Sequence, residues 1–197
     1  MDRYLDDEDR MFRDAVRDWV SAEFPKDWCR ELERREHEFP HAFWDKLTAF
    51  GAHGIGIPEE FGGQGGTIVT QALFARELAR TAAGLGWVWG VTSFSGSKAI
   101  RFCGDEEQQQ RFLPKIAAGE LKTAMAFSEP GGGTDLLGGM KTRAERVEGG
   151  WLINGVKIWS TCANVADYLF LMARSRRDVQ RRADGISQVW APSTAFI

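Results

Sequence analysis

A chain of 197 residues with 43% apolar and 27% charged side chains can build one large globular domain or two small ones. Its formal net charge of -3 argues against a nucleic-acid binder, and its one basic cluster, Arg174 to Arg182, is interrupted by Asp178 and reads as a solvated loop. Cys29, Cys103 and Cys162 are odd in number, far apart and free of any CxxC spacing, which argues against a disulfide framework or a zinc site and for a reducing cytoplasm.

The N-terminus, MDRYLDDEDR, is charged and reads as lacking a secretory signal, and no apolar run approaches the ~20 residues of a membrane span. Met11, Phe12, Ala15, Val16, Trp19 and Val20 repeat at three- and four-residue steps and predict a helix capped by Asp6 or Asp7. Pro25 suits the first position of a second, highly charged helix running to about Glu36. Pro40 opens a third, with Phe43, Trp44, Leu47 and Phe50 on one face and Gly51 at its stop.

A glycine-rich loop covers residues 51–66, and Thr67 caps a helix whose expected apolar face is Ile68, Val69, Ala72, Leu73, Ala75 and Ala79. Residues 81–86 break that helix, and another is expected from about Trp87 to Phe102, ended by Gly104. Asp105 and Gln108 have the spacing of a capping box for a last helix carrying Phe112, Leu113 and Ile116, which Pro114 ends or kinks.

After residue 121 the period shortens toward two. Strands are expected over 123–128, 142–147, 168–173 and 186–191, with Gly149-Gly150 as a tight turn. A hairpin is expected from residues 151–153 through Asn154-Gly155 to 156–159, because Asn-Gly favours the positive φ of a type I′ turn. The pattern therefore predicts an α+β chain: a helical domain over 1–121 and a β-domain over 122–197. The chain stops at Phe196-Ile197, soon after an apolar strand; an incomplete sheet and a short sheet with a frayed tail both fit that ending.

The stretch most suggestive of chemistry runs from Ala126 through Phe127, Ser128, Glu129, Pro130 and three glycines to Thr134 and Asp135. Glycines let a backbone approach an anion and aim its amides at it, so this is either a phosphate cradle or a flexible turn between strands. It is not a Rossmann fingerprint: Gly54-Ile55-Gly56 has Glu59 where the third glycine belongs, and Gly84-Leu85-Gly86 lacks its third glycine as well. Gly96-Ser97-Lys98 lacks the Gly-Lys step of a Walker loop.

Residues Met125 to Asp135 closely resemble the first signature of the acyl-CoA dehydrogenases. Further likenesses follow in chain order: residues 57–63 resemble the loop after the family's third helix, 102–120 its last N-terminal helix, and 153–161 its flavin-side hairpin. The resemblance covers almost the whole chain and implies an α+β fold with a helical N-terminal domain, most of a middle, antiparallel β-domain, and a C-terminal helical domain absent here. It implies FAD as cofactor and α,β-dehydrogenation of an acyl-CoA thioester, with no catalytic residue and no metal ligand in this chain, because the family's base is a Glu of the C-terminal domain.

By the same resemblance, Met125, Ala126, Phe127 and Ser128 meet the flavin ring. Gly133 and Thr134 lie at the FAD pyrophosphate, with Thr134 also near the acyl-CoA. Trp159, Ser160 and Thr161 meet the isoalloxazine, where a donor at Thr161 stabilises negative charge on the reduced ring. Met125 replaces a frequent Tyr and Phe127 a smaller aliphatic residue. On pattern alone, Trp159 reads equally as core, Thr161 as a turn former, Glu129 as structural, and His37, His41 and His53 as surface or packing residues. Trp87, Trp89 and Phe94 either line the acyl pocket or simply pack between helices.

The partners implied are an acyl-CoA substrate, an electron-transfer flavoprotein or similar acceptor, and either further copies or a complementing C-terminal polypeptide. A related flavin-dependent monooxygenase and a non-catalytic flavin-binding fragment are the alternatives.

Overall fold

The structure, a computed structural model, describes residues 2–35, 38–176, 179, 180 and 182–195. The expectations on Glu36, His37, Asp178 and Phe196-Ile197 lie outside the described residues. The chain divides into two compact units, Met1–Lys122 and Thr123–Ile197.

The first unit is helical. Helix α1, Asp7–Glu23, starts at Asp6, whose carboxylate accepts the Asp9 amide at 2.8 Å, and it carries three acidic residues in its first turn, where the helix dipole favours them. Met11 is exposed; the buried positions are Arg13, Val16 and Val20, with Phe12 and Trp19 half-buried. Helix α2, Lys26–Arg34, is capped by Pro25, which lies one position outside the helix rather than within its first turn. Helix α3, His41–Phe50, ends at Gly51 with φ 75°, a left-handed conformation that glycine adopts without steric cost.

Helix α4, Ile68–Ala79, starts in a capping box between Thr67 and Thr70. Its buried face is Gln71, Leu73, Phe74, Glu77 and Leu78, one step round from the expected stripe, so Ile68 and Val69 are exposed. This face brings Leu73, Phe74 and Leu78 into the interior. Glu77 is fully buried on it and takes Arg17 of α1 at 3.1 and 3.2 Å, with Arg80 at 3.3 Å. With these partners the buried carboxylate is paired, as burial of a charge requires.

Helix α5, Ala83–Trp89, begins four residues before the expected start and continues through a π-helical stretch, Gly90–Gly96, into α6, Ser97–Cys103. Helix α7, Glu106–Ala117, starts in the Asp105–Gln108 capping box and runs three residues past Pro114, which therefore does not end it. The core of this unit joins Val16, Val20, Phe24, Phe43, Leu47, Phe74, Leu78 and Trp89, with Trp19 stacked on Phe50 at 4.0 Å between centroids.

The second unit holds strands β1, Thr123–Ala126; β2, Arg143–Val147; β3, Gly150–Asn154; β4, Tyr168–Arg174; and β5, Ile186–Pro192; and a short helix α8, Leu136–Gly139, lies between β1 and β2. The sheet is mixed. β2 with β3 and β4 with β5 are antiparallel, as expected, whereas β1 lies parallel to β4 from Thr123 opposite Tyr168 to Ala126 opposite Leu171. β2 meets β4 at a single parallel bridge, Arg143 to Arg174. The Asn154-Gly155 hairpin does not form. The turn that closes β2 on β3 is at Gly149, with φ 81°, and Gly155 is not in the left-handed region. Instead Gly155 packs so close to Thr142 that an added Cβ would stand 2.2 Å from its Oγ1. Residues 155–160 leave the sheet as a loop.

His53 is completely buried, with Nδ1 2.7 Å from the Ser93 hydroxyl and its ring 4.1 Å from that of Trp44. Burial lowers its pKa to about 4, with the Lys122 ammonium adding to the shift and a Trp44 backbone contact opposing it. The folded value lies below the unfolded one, so the unfolded chain binds the proton first as pH falls. Urea unfolding between pH 6.5 and 4 should therefore show a loss of stability on the order of 3 kcal/mol, and His53→Asn should flatten that slope.

Candidate functional site

The candidate site is built where β1 ends. Successive strand residues point to opposite faces. Ala124 and Ala126 turn into small aliphatic clusters with Ala144, Leu169, Leu171 and Ala173. Met125 and Phe127, both half-buried, turn the other way, where Phe127 meets Phe170 edge-on at 5.3 Å and Phe170 meets Trp190 at 5.6 Å. One face of the strand thus carries aromatic surface and the other packs the sheet.

The loop after β3 returns to this strand end. The Ile158 amide donates to the Ser128 carbonyl at 3.0 Å. The Lys157 ammonium donates to the Phe127 carbonyl at 3.1 Å and to Glu129 Oε1 at 2.8 Å. Glu129, 6% exposed, also accepts the amides of Lys141 at 2.6 Å and Thr142 at 2.9 Å. Burial by itself raises the pKa of this carboxyl, but Lys157, Thr142 and the two amides outweigh it and hold the group at about 2. A carboxylate held this far below neutral pH is a poorly matched general base, and its bonds tie three stretches of the chain together.

Trp159 follows at once, with φ 59° and 86% of its surface exposed. That exposure rules out the core reading of this side chain. A non-glycine residue held in the left-handed region costs of order 1–3 kcal/mol, and such strain tends to persist at ligand sites. Cys162 repeats the feature at φ 63°, so two left-handed non-glycine residues fall within four positions. Thr161 is exposed and Ser160 half-buried; turn bonds run from the Ala163 amide to the Ser160 carbonyl and from the Val165 amide to the Cys162 carbonyl.

Of the predicted residues, Ala126 and Ser160 line one cavity of about 280 Å³, together with Thr142, Ile153, Lys157 and Leu171. Hydrogen bonds bring Phe127 and Ser128 together with residues 157 and 158. Gly133 and Thr134 are exposed and lie beyond the short bridge of Glu129 to Gly132, and among the described residues no backbone hydrogen bond joins them to Trp159 or Thr161. A Cβ at Gly133 would meet nothing within 4 Å, so its backbone is open to a ligand.

In the helical unit, Trp89 is buried and donates to the Ala52 carbonyl at 3.0 Å, which makes it core. Trp87 and Phe94 instead border an apolar groove of about 340 Å³ with Ile68, Ala72, Ala75 and Gly86. His41 is exposed. Among the described residues there is no cluster of metal-ligating side chains, and no helix is long and apolar enough to cross a membrane. Sequence reasoning missed Lys157; the available signal was a lone cation between apolar residues just before Trp159.

Residues 6–120 match the family profile described as acyl-CoA dehydrogenase, N-terminal domain, and residues 124–195 the one described as acyl-CoA dehydrogenase, middle domain. An acyl-CoA dehydrogenase of Bacillus subtilis is 33% identical over 184 residues, covering 93% of this chain and 47% of that protein. The crystal structure of an acyl-CoA dehydrogenase from Geobacillus kaustophilus superposes with a TM-score of 0.82 at 29% identity, over 96% of this chain and 49% of that one. That of a Bacillus anthracis acyl-CoA dehydrogenase complexed with FAD superposes at 0.80 with 30% identity, over 96% of this chain and 31% of that one. The chain spans about half the length of the curated relatives it matches.

The Glu129 carboxylate, ionised down to about pH 2 when folded, contributes stability that is fully present above its ordinary value of 4.5 and is lost as pH falls from there toward 2. Glu129→Gln leaves the Lys157 ammonium without its ionic partner and should cost about 3 kcal/mol at neutral pH. In urea unfolding at stepped pH, the gap between the two proteins should narrow below pH 4.5.

Proposed function

The chain belongs to the acyl-CoA dehydrogenase family, and from that premise we propose that it forms the flavin-facing half of a dehydrogenase that removes hydrogen across the α,β carbon pair of an acyl-CoA thioester. Within this reading, residues 1–121 are the helical domain and 122–197 the middle β-domain. FAD, when bound, supplies the two-electron acceptor for the hydride that leaves the β-carbon.

The observation that most supports the reading is Trp159, an indole held in a strained backbone conformation, exposed, and anchored through Ile158 beside the end of β1. A flat, apolar, partly polar-edged ligand such as isoalloxazine fits that surface. In this assignment Met125, Ala126, Phe127 and Ser128 present the strand end to the ring, and backbone groups with the Ser128 hydroxyl address its pyrimidine edge. Trp159 covers the ring, with Ser160 beside it. Thr161 donates where negative charge grows as hydride arrives. Gly133 and Thr134 bind the pyrophosphate, and Thr134 also faces the acyl-CoA.

The base that takes the α-proton is assigned to no residue of this chain. Glu129, the buried carboxylate nearest the site in sequence, is committed to its ion pair and amide bonds. The base is a carboxylate of a further domain or a complementing polypeptide, and an electron-transfer flavoprotein or similar acceptor reoxidises the flavin. The three free thiols fit a reducing cytoplasmic setting.

The test is the visible spectrum of the purified chain after incubation with FAD and removal of the excess. A retained flavin band is expected, together with affinity about tenfold lower in Trp159→Ala, the loss of one aromatic contact. Turnover of acyl-CoA with an artificial acceptor is expected to be absent. A chain that turns over by itself contradicts the assignment of the base elsewhere, and one that never retains flavin contradicts the site.

A further inference from the structure

Two left-handed non-glycine residues, Trp159 and Cys162, sit in one short loop, and the indole of the first is almost wholly in solvent. An exposed side chain cannot hold its own backbone in a strained conformation; the anchors on either side must do it. On the C-terminal side the backbone bonds among the described residues are local turn bonds, from the Ala163 amide to the Ser160 carbonyl and from the Val165 amide to the Cys162 carbonyl. On the N-terminal side the anchor reaches across the unit. Lys157 is largely buried, with 9% of its side chain exposed, and it divides its donors between the Phe127 carbonyl and the Glu129 carboxylate. Beside it the Ile158 amide takes the Ser128 carbonyl.

The two carbonyls held in this way are consecutive residues of the strand end that carries Met125 to Ser128. Burying an ammonium is costly unless it is paired and hydrogen-bonded, and here both partners, the Phe127 carbonyl and the Glu129 carboxylate, belong to the segment that follows β1. We propose that Lys157 is a positioning residue for the cofactor: it holds the Trp159–Thr161 stretch against the end of β1 before any ligand arrives, so that both parts of the flavin edge are already in register. This deepens the flavin reading above and rests on it. Glu129 is the fixed point of the arrangement, because its two amide bonds to Lys141 and Thr142 keep the carboxylate facing Lys157. Preorganisation of this kind raises affinity by removing the ordering cost from the binding step.

The test compares Lys157→Met, which keeps the apolar stem and removes every donor, with Lys157→Arg, which keeps charge and donors. Amide hydrogen exchange on the full chain without flavin reads the positioning directly. In K157M the amides of Ile158, Ala163 and Val165, which hydrogen bonds of the loop protect, should exchange about tenfold faster while those of β4 and β5 hold their wild-type rates, and K157R should restore most of the protection. FAD titration reads the consequence: about tenfold weaker binding in K157M, with bound flavin less quenched by the indole, and recovery in K157R.

Unchanged exchange at Ile158, Ala163 and Val165 in K157M overturns the proposal. So does a loss of protection that spreads equally through β4 and β5, which would make Lys157 a general stabiliser. Exchange that changes as expected in a protein whose wild type takes up no FAD leaves the positioning intact and refutes the flavin reading instead. If K157M does not fold, Lys157→Gln, with a neutral donor for the Phe127 carbonyl, decides by the same two readouts. Intermediate values support positioning, and wild-type values in both overturn it.

Discussion

The buried carboxylate of Glu129 is the point on which the candidate site depends. It takes two main-chain amides from the segment leading into β2 and one ammonium from the loop after β3, so three stretches of chain distant in sequence converge on two oxygens. These bonds keep the group ionised to about pH 2. Removing a partner leaves a buried polar group less satisfied, which costs more than the net value of an ordinary hydrogen bond. The loop tied to this node is the one that carries the left-handed backbone and exposed indole of Trp159.

The helical unit is organised by a similar device with a different outcome. Glu77 is buried against Arg17 and Arg80, and this ties α4 to α1 on the face that also buries Phe74 and Leu78. The side left outward carries Ile68, Ala72 and Ala75, and with Trp87 and Phe94 these form the apolar groove. His53, neutral and packed between Trp44 and Ser93, ties the turn after α3 to the π-helical stretch Gly90–Gly96. Stretches of this kind recur at functional sites because they redirect side chains by one position.

Features written in short-range chemistry were legible in the sequence. Asp6, Thr67 and Asp105 announced their helices through carboxylate and hydroxyl caps, and Gly51 marked a stop that needs positive φ. What failed were inferences in which a tertiary contact overrides a local preference. Asn154-Gly155 has the composition of a hairpin turn, yet Gly155 is needed where the chain passes Thr142, and the backbone follows that constraint. The face of α4 was misjudged because a stripe with Ile and several Ala was preferred to one that contains Gln71 and Glu77, whereas the fold buries the larger Phe74 and Leu78 and pairs Glu77 with Arg17. The parallel pairing of β1 with β4 could not be read because period-two patterns carry no strand direction. In the site, the run from Met125 to Thr134 was visible as a strand entering glycines. Lys157 was not, because a lysine in a half-exposed loop usually points to water.

The central claim is that the end of β1 and the loop through Trp159 together form one flavin-binding edge. The most direct measurement is an amide chemical-shift map of the isotopically labelled chain titrated with FAD. The account predicts that the largest shifts fall on Phe127, Ser128, Ile158, Trp159 and Thr161, with the α4–α5 groove unmoved. Shifts concentrated in that groove, or a saturating titration that leaves residues 157–161 unchanged, would contradict it.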